Sequence, residues 1–239
     1  MMGKTPGARL CAAAGYARQG KFIADVGTDH AYLPVYLVES GVSSGALATD
    51  INRGPLERAA ANVAAVGLCD RITLRLADGL DGAADLAPED IFILGMGGEL
   101  IARILGDSEY IKIKNKNIRL ILQPMTRQAA LRRFLLEGGF CIDDERLVDD
   151  DGGRIYQIIV AHYDGLSRTA DEASLLAGAM ILSRGGELCD RYVARLGREL
   201  ASSAAGKRKG GDLAAAEADE ALAAALCGEG TFEYHVENC

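Results

Sequence analysis

The sequence predicts an α/β protein in which helices cover both faces of a mixed seven-stranded sheet, followed by a small helical hairpin. Short apolar runs alternate with helical patterns through the first part of the chain, and this alternation indicates parallel strands. A turn of Asp and Gly at residues 150–153 separates the last two strands. Such a short connection closes only an antiparallel hairpin. The predicted strands are Phe22–Gly27, Gly45–Ile51, Ile72–Ala77, Ile91–Gly95, Leu120–Pro124, Glu145–Asp149 and Arg154–Tyr163.

Helical patterns fill the connections between these strands. One helix precedes the first strand, and the helix after the fifth strand stops at Gly138-Gly139, a typical C-terminal stop. Five parallel strands that end in a hairpin resemble the sheet of class I methyltransferases more than the six parallel strands of dinucleotide dehydrogenases. The predicted helices are Gly3–Arg18, Tyr32–Ser40, Gly54–Val66, a short one near 81–87, Glu99–Leu105 and Arg127–Glu137.

After Tyr163 the chain becomes helical and rich in alanine. Apolar residues recur there every seven positions and predict a heptad seam. A polar break bounded by glycines, at 206–211, precedes a shorter helix, Asp212–Leu226, so an antiparallel, coiled-coil-like hairpin is the simplest arrangement. We therefore predict two domains, residues 1–164 and 165–239. The heptad positions are Leu175, Leu182, Cys189 and Leu196.

Composition narrows the class of protein. No apolar run approaches the ~20 residues that cross a bilayer, and the N-terminus lacks a signal-peptide core, so we predict a cytoplasmic protein without membrane contact. None of the 6 cysteines forms a C-x-x-C pair and only 3 histidines occur, which predicts free thiols and no metal site. We expect a monomer or a weak dimer.

Charge is distributed unevenly along the chain. The net charge of −8 by itself argues against nucleic acid. However, residues 103–133 contain eight basic and two acidic residues, and residues 184–209 contain seven basic and three acidic residues. Both stretches are candidates for contact with phosphates, although solvated helix faces produce the same pattern.

The first predicted strand ends in Asp25-Val26-Gly27-Thr28-Asp29-His30. Ligands of open α/β sheets bind beyond the carboxyl ends of the strands, and Gly27 lets a ligand approach the backbone. The dinucleotide fingerprint G-x-G-x-x-G is absent, because Asp29 stands where its second glycine would be. That carboxylate disfavours a pyrophosphate and suits S-adenosylmethionine, which has no phosphate and carries sulfonium and ammonium cations. A plain strand-to-helix turn is the alternative.

The other strand ends also carry candidate ligand-binding residues. Asp50 is placed to bind ribose hydroxyls. The Asp78-Gly79 pair follows the third strand and is placed to accept the amine of the cofactor adenine, although it is also an ordinary turn. The loop Gly95-Met96-Gly97-Gly98 suggests close approach by two ligands. Gln123, before Pro124, is a candidate for binding a base edge or for capping its strand.

These motifs together resemble one family. The segment D-V-G-T-D-H-A-Y-L-P, the Gly-Met-Gly-Gly loop, L-I-L-Q-P and the acidic hairpin are similar to the TrmK family of bacterial tRNA (adenine-N1)-methyltransferases, over about residues 7–163. The resemblance implies a Rossmann-like domain, S-adenosylmethionine as cofactor, and methylation of adenine 22 in tRNA. Thr49-Asp50 departs from the Gly-Glu frequent in the family but keeps the carboxylate. The cofactor-binding residues expected are Asp25, Gly27, Asp29, His30, Asp50, Ile51, Asp78, Gly79, Gly95 and Met96.

The chemistry implied by this resemblance needs a carboxylate near the target base. Adenine N1 attacks through its own lone pair, and methylation leaves the ring cationic, so a carboxylate would stabilise the product. Asp29 is the candidate catalytic residue; its alternative role is to cap the following helix. The alternative functions are an NAD oxidoreductase, a non-catalytic RNA-binding protein and a methyltransferase of another nucleic acid or small molecule. The expected substrate-binding residues are Tyr32, Gly97, Gln123, Pro124 and Arg127.

Overall fold

The centre of the fold is a mixed sheet of seven strands. The computed structural model describes residues 6–114, 117–150, 152–228 and 232–236. The strands are β1 (Phe22–Val26), β2 (Gly45–Asp50), β3 (Ile72–Leu76), β4 (Asp90–Gly97), β5 (Arg119–Thr126), β6 (Phe140–Asp149) and β7 (Ile155–Tyr163). Their order is β3-β2-β1-β4-β5-β7-β6, with β1 to β5 parallel and β7 antiparallel to both of its neighbours. The predicted fold class is confirmed.

Burial on both faces explains why the central strands are continuously apolar. In β4, Ile91 and Ile93 enter one hydrophobic cluster while Phe92 enters the cluster on the other face. Chain order switches between β1 and β4, because β2 and β3 lie on one side of β1 and the later strands lie on the other. The carboxyl ends of all five parallel strands therefore meet at one edge of the sheet, with a switch point in the middle.

Helices cover the two faces of this sheet, and most predicted helices are present within a few residues of the expected bounds. The predicted start of the first helix at Gly3 lies outside the described residues, and its described part ends sooner than Arg18. The short helix Glu109–Lys114 was not predicted. The helices of this part are α1 (Ala8–Ala14), α2 (Tyr32–Glu39), α3 (Arg53–Ala65), α4 (Gly98–Asp107), α5 (Glu109–Lys114) and α6 (Gln128–Glu137).

Two predictions in this region were wrong. The helix expected near 81–87 is a series of turns: Gly82 and Ala87 have φ of +71° and +48°, which no right-handed helix accommodates. Strand β6 begins at Phe140 rather than Glu145. The acidic run Asp143-Asp144-Glu145 interrupts the apolar pattern of this edge strand, and a bulge between Ile142 and Asp144 leaves Asp143 without a partner in the β6–β7 register.

Within its described residues, the C-terminal segment forms four helices and a small two-stranded ribbon. They are α7 (Glu172–Ala177), α8 (Ala179–Arg184), α9 (Glu187–Lys209) and α10 (Leu213–Cys227), with β8 (Arg168–Thr169) paired to β9 (His235–Val236). The hairpin of α9 and α10 is confirmed, and ion pairs from Lys207 and Arg208 join the two helices. The division at residue 164 stays a prediction. No helix in the described ranges is long and apolar enough to cross a membrane.

The heptad seam predicted for this segment is interrupted. Gly178, Gly185 and Gly186 have φ of +97°, +62° and +95°, and these left-handed values break the helix into α7, α8 and α9. The apolar heptad residues are still buried or partly buried, but they pack into two different clusters: Leu175 joins the sheet core, while Cys189 joins the core of the C-terminal helices.

Candidate active site

The loop after β1 is held against the end of β2. The backbone N–H groups of Gly27 and Thr28 both donate to the carbonyl of Thr49, at 2.8 Å each. Gly27 has φ of +77°, and a Cβ at this position would overlap the terminal methyl of Met96. Only glycine therefore fits this turn, and the Met96 side chain lies directly on the loop.

Gly27 separates two clefts at the active edge of the sheet. One cleft, of about 190 Å³, opens between the ends of β1, β2 and β4. The other, of about 320 Å³, lies between the β1 loop and α1. Because Gly27 lines both, the two clefts meet at its backbone, where the terminal methyl of Met96 lies. The first cleft includes Asp50, Ile51, Asp78, Gly79 and Met96, and the second includes Asp25, Asp29, His30, Tyr32 and Gly95.

In the first cleft, carboxylates and apolar side chains lie side by side. Asp50 accepts a hydrogen bond from the backbone of Asn52 at 2.7 Å and is partly exposed. Ile51 and Leu100 are exposed apolar residues on the cleft wall. The prediction that Asp78 binds an adenine amine is weakened, because both of its oxygens accept hydrogen bonds from Arg103, at 3.1 and 3.2 Å.

In the second cleft, Asp29 is exposed and lies between the side chains of Arg58 and His30. Its carboxylate lies 2.5 Å from Arg58 Nη2 and 3.2 Å from His30 Nε2. The hydrogen bond from Arg58 lowers the pKa of Asp29 below its usual range. Helix α2 begins after Ala31, a left-handed residue with φ of +54°, so Asp29 does not cap it. The alternative role as an N-cap was therefore wrong, and Asp29 remains an exposed carboxylate at the cleft.

Tyr32 lies at the rim of the same cleft, near Asp29. The rings of His30 and Tyr32 stack with centroids 5.1 Å apart, and the His30 carbonyl accepts from Asn62 Nδ2 at 3.0 Å. Tyr32 remains 45% exposed, which leaves part of its ring open to a stacking partner. The arrangement keeps Tyr32 a candidate for substrate binding.

Asp25 is the buried carboxylate of the second cleft. Burial raises the pKa of Asp25 to about 6, although the neighbouring Thr28 and Arg9 favour its ionised form. Within the described residues, Thr28 Oγ1 is buried without a hydrogen bond of standard geometry. A buried carboxylate is a polar group that a cationic ligand would satisfy. The cleft therefore fits an ammonium-bearing ligand.

The fifth strand contributes a positioning residue. Gln123 is fully buried; its Oε1 accepts from the backbone N–H of Gly95 at 3.1 Å and from Arg9 Nη1 at 2.5 Å. Its Nε2 donates to the carbonyl of Pro124 at 3.1 Å. Both ends of the amide are thus engaged, and Pro124 is buried as well. The prediction that these two residues bind substrate directly is corrected: Gln123 orders the Gly95 loop and Arg9.

At the Gly97-Gly98 turn, the backbone passes close to the backbone of Arg127 at the rim of the site. A Cβ on Gly98 would overlap the carbonyl of Arg127, whose own φ is +57°. The Arg127 side chain is exposed, with Nε 3.9 Å from Glu99. Gly97 and Arg127 are therefore accessible at the edge of the site, as the predicted substrate-binding role requires.

Arg9 is the site residue that the sequence did not reveal. It lies in the first turns of α1, lines the second cleft, and contacts Gln123 across more than one hundred residues of chain. No motif surrounds it, and helix α1 looks like an ordinary amphipathic segment. Only the packing of α1 over the carboxyl ends of the strands brings Arg9 to the site.

Several arginines of the basic stretch predicted at residues 103–133 bind groups of the protein itself. Arg132 is fully buried, Arg103 is bound to Asp78, and Arg133 pairs with Glu172. Because Arg132 is buried, it cannot contact phosphate. Its inclusion among the candidate phosphate-binding residues is corrected. Outside the described residues lie Lys116 and the side chains of Lys112 and Lys114.

The second basic stretch, residues 184–209, contributes arginine side chains to a surface cleft. Arg191, Arg195 and Arg198 line a cleft of about 290 Å³ against Gly153 and Ile155 at the start of β7. Because β7 is antiparallel to β5, this end of β7 lies at the active edge of the sheet. We call this cleft, lined by Arg191, Arg195 and Arg198, the arginine cleft.

One cluster of possible metal ligands lies away from this edge. Cys141, Asp143 and His162 place ligand atoms within 4.8 Å of one another. The pairing of Cys141 with His162 on β6 and β7 brings them together. The sequence prediction of no metal site stays a prediction.

Comparison with known proteins identifies relatives of the whole arrangement. The family described as "Methyltransferase domain" matches residues 7–159. The tRNA (adenine(22)-N(1))-methyltransferase of Bacillus subtilis (strain 168) is 38% identical over 173 residues, which cover 72% of this chain and 71% of that protein. The crystal structure of the tRNA methyltransferase TrmK of B. subtilis superimposes with a TM-score of 0.81 at 28% identity, covering 94% of this chain and 99% of that chain. Streptococcus pneumoniae Sp1610 in complex with S-adenosyl-L-methionine gives a TM-score of 0.75 at 32% identity, over 92% of this chain and 100% of that chain.

Proposed function

The chain belongs to the methyltransferase family that includes the tRNA (adenine(22)-N(1))-methyltransferase of B. subtilis, and we propose that it transfers the methyl group of S-adenosylmethionine to N1 of adenine 22 in tRNA. The observation that carries the proposal is the pair of clefts joined at Gly27, with carboxylates in both. Family membership also argues against the alternatives of an NAD oxidoreductase and a non-catalytic RNA-binding protein.

The residues of the two clefts fit the parts of this cofactor. Asp50 would accept hydrogen bonds from the ribose hydroxyls, and Ile51 and Leu100 offer apolar surface to the adenine. Gly27 allows the ligand to cross the loop without steric overlap once the Met96 side chain moves aside. Asp25 would face the ammonium group, since it is the buried carboxylate of the second cleft.

Methyl transfer requires little from the protein beyond the alignment of the two reactants. The sulfonium supplies an activated methyl group, and adenine N1 supplies its own electron pair, so the protein gains rate chiefly by holding the two in line. Tyr32, Gly97 and Arg127 lie at the rim where the base would enter. Asp29 keeps a negative charge near the ring that becomes cationic, and its depressed pKa favours this electrostatic role over proton acceptance.

Methylation of unmodified tRNA transcripts tests the proposed function. We expect the methyl group of labelled S-adenosylmethionine to appear on adenine 22 as N1-methyladenosine, mapped by nuclease digestion and mass spectrometry. A transcript carrying guanine at position 22 is the matched control and should accept no label. Label on a different nucleotide, or none with a transcript that binds the protein, would refute the substrate assignment.

The arginine cleft is the surface that we propose for contact with the tRNA backbone. Arg198 is exposed, and Arg195 Nε makes no hydrogen bond among the described residues but lies 3.8 Å from Glu199 Oε1. Arg191 pairs with Asp149 at 2.7 Å. This face adjoins the hairpin at the active edge, so a tRNA held here can extend towards the clefts. Phosphate contacts release counterions, which makes binding fall steeply with salt.

Replacing Arg195 and Arg198 together by glutamine should weaken tRNA binding without altering the chemical step. We expect KM for tRNA to rise about tenfold with kcat nearly unchanged, and the slope of log affinity against log salt to decrease by roughly 1–2, since each lost phosphate contact contributes about 0.9. Filter binding at several salt concentrations measures this slope. Arg208→Gln is the control, because Arg208 lies at the far end of the same helix and pairs with Glu220. An unchanged KM and slope in the double variant would exclude this surface.

A further inference from the structure

The start of β6 and the end of β7 bring three possible metal ligands together. Cys141 and His162 are direct partners in the register of these antiparallel strands, and such partners have Cβ atoms about 4.5–5.5 Å apart on one face of the sheet. Asp143, which the bulge leaves outside this register, faces the same imidazole: His162 Nδ1 lies 2.9 Å from both carboxylate oxygens. One ligand atom from each of the three residues lies within 4.8 Å of the other two.

The spacing of these atoms suits a small tetrahedral cation. Bond lengths of about 2.0–2.3 Å from Zn²⁺ to oxygen, nitrogen and sulfur place neighbouring ligand atoms roughly 3.3–3.8 Å apart. The separations in the structure, 2.9 Å between His162 and Asp143 and at most 4.8 Å within the group, bracket this range. Small rotations of the three side chains, without movement of the strands, would therefore complete the geometry.

The chemistry of the ligand atoms selects the class of metal. Thiolate and imidazole bind zinc and similar transition metals, whereas Mg²⁺ and Ca²⁺ are bound by oxygen atoms. Cys141 is a free cysteine, and a cysteine loses its proton when it binds a metal. Its thiolate and the Asp143 carboxylate together supply two negative charges, which balance the charge of Zn²⁺.

The surroundings of the group leave a path for an ion and a position for water. The side chains of His162 and Asp143 are 33% and 40% exposed, and Cys141 is partly buried. Arg168 is a cation that acts electrostatically on Cys141, but Asp164 accepts hydrogen bonds from its guanidinium at 2.5 and 2.9 Å. The positive charge of Arg168 is therefore already balanced. Three protein ligands and one water form an open zinc site.

We propose that Cys141, Asp143 and His162 bind Zn²⁺, with one water as the fourth ligand. The site lies at the end of the sheet opposite the active edge, because β7 is antiparallel to β5 and β6 starts beside the end of β7. The bulge disrupts the ladder between β6 and β7, and the ion would link the two strands at that point.

Zinc binding here would be independent of methyl transfer. Among the described residues that line the two clefts of the active edge, none belongs to this group. The sequence predicted no metal site, because His162 is distant along the chain from Cys141 and Asp143. Only the pairing of β6 with β7 brings the three together.

Metal titration of the whole chain tests this site. After removal of metal with a chelator, the protein should bind one Zn²⁺ per chain in isothermal titration. The midpoint of thermal unfolding should rise with Zn²⁺ but not with Mg²⁺, since an ion that binds only the folded chain stabilises it. Co²⁺ is the spectroscopic probe: a sulfur-to-cobalt charge-transfer band in the near ultraviolet would report the cysteine ligand, and visible bands would report tetrahedral coordination.

Variants of the three ligands locate the bound ion. Cys141→Ser should remove the charge-transfer band and weaken Zn²⁺ binding at least about tenfold, because loss of even an outer-shell partner has an effect of that size. Asp143→Asn and His162→Gln should weaken Zn²⁺ binding by a similar factor. Cys69→Ser is the matched control, since it changes an exposed thiol outside the group, and should keep both the band and the affinity.

Circular dichroism of the metal-free variants separates loss of binding from loss of folding, and the Co²⁺ spectrum of the original protein needs no variant. Three results would each overturn the proposal: no binding of Zn²⁺ by the original protein, a Co²⁺ spectrum without the charge-transfer band, or unchanged Zn²⁺ affinity in Cys141→Ser. Asp143 and His162 would then form a hydrogen-bonded pair only.

Discussion

Arg132→Ala is expected to lower the free energy of unfolding by about 3–5 kcal/mol, the cost of leaving one member of a buried ion pair without its partner. The side chains of Arg132 and Glu145 are both 0% exposed, and Arg132 Nε lies 2.6 Å from Glu145 Oε1. The guanidinium also donates to Gln157 Oε1 at 2.5 Å and to the carbonyl of Leu175 at 3.0 Å. Without it, the Glu145 carboxylate is buried without its counter-charge, and Gln157 Oε1 and the Leu175 carbonyl lose a donor.

The same network joins the C-terminal helices to the sheet, which is why its loss affects the whole fold. Glu145 Oε2 accepts from Tyr234 at 2.6 Å, and Gln157 Nε2 donates to Tyr192 at 2.7 Å. A Cβ on Gly178 would lie 2.7 Å from Arg132 Nη2, so this glycine lets the backbone pass close to the pair. Removing the arginine therefore loosens α7 to α9 together.

Chemical denaturation of three variants checks this prediction. Arg133→Ala is the neighbouring control: Arg133 is partly exposed and pairs with Glu172 on the surface, so its removal should cost no more than about 1 kcal/mol. The double replacement Arg132→Met with Glu145→Leu removes both buried charges and should recover much of the stability lost in Arg132→Ala. If Arg132→Ala and Arg133→Ala unfold at the same denaturant concentration, the buried pair does not stabilise the fold.

Asp29→Ala is expected to lower kcat about 100-fold, within the range for loss of an electrostatic or acid–base group, while the affinity for S-adenosylhomocysteine changes less than about threefold. The carboxylate of Asp29 is 63% exposed at the cleft, and Arg58 depresses its pKa. Asp29 is therefore ionised at neutral pH in the free protein, and its charge is present when the methylated adenine becomes cationic. Its loss should affect the reaction more than the cofactor.

Single-turnover methylation and isothermal titration on the same preparations measure these two quantities. Asp50→Ala is the matched acidic control and should show the reverse pattern, a clear loss of cofactor affinity, because Asp50 lines the first cleft, on the other side of Gly27. Equal losses of turnover and of cofactor affinity in Asp29→Ala would move Asp29 from catalysis to cofactor binding.

The strands and most of the site were predictable because their signals are local. Buried parallel strands are continuous apolar runs, and their order along the chain limits the sheet to few topologies. Each carboxylate at a strand end is then placed at the same edge, so Asp25, Asp29, Asp50 and Asp78 could be grouped from the sequence. The start of the edge strand β6 was missed, because an acidic run and a bulge interrupt its apolar pattern after Ile142.

Side-chain environments were less predictable, because they depend on contacts distant in sequence. Gln123 ends an apolar run and looks available to a base, yet the backbone of Gly95 and the side chain of Arg9 already use its amide. Asp29 precedes a helix and looks like a cap, yet Ala31 in a left-handed conformation begins that helix. Neither outcome follows from residue type or spacing.

The sequence by itself determined the sheet, the glycine at the crossing point and the acidic residues of the active edge, since these follow from hydrophobic pattern and backbone sterics. Only the tertiary structure decided the roles of the arginines. Arg132 and Arg133 are adjacent and identical in type, but α6 turns one towards Glu145 and the other towards solvent. Arg9 reaches the cleft because α1 packs over the strand ends. The free energy of a charge depends on its burial and its partner, and both are set by elements far away in the chain.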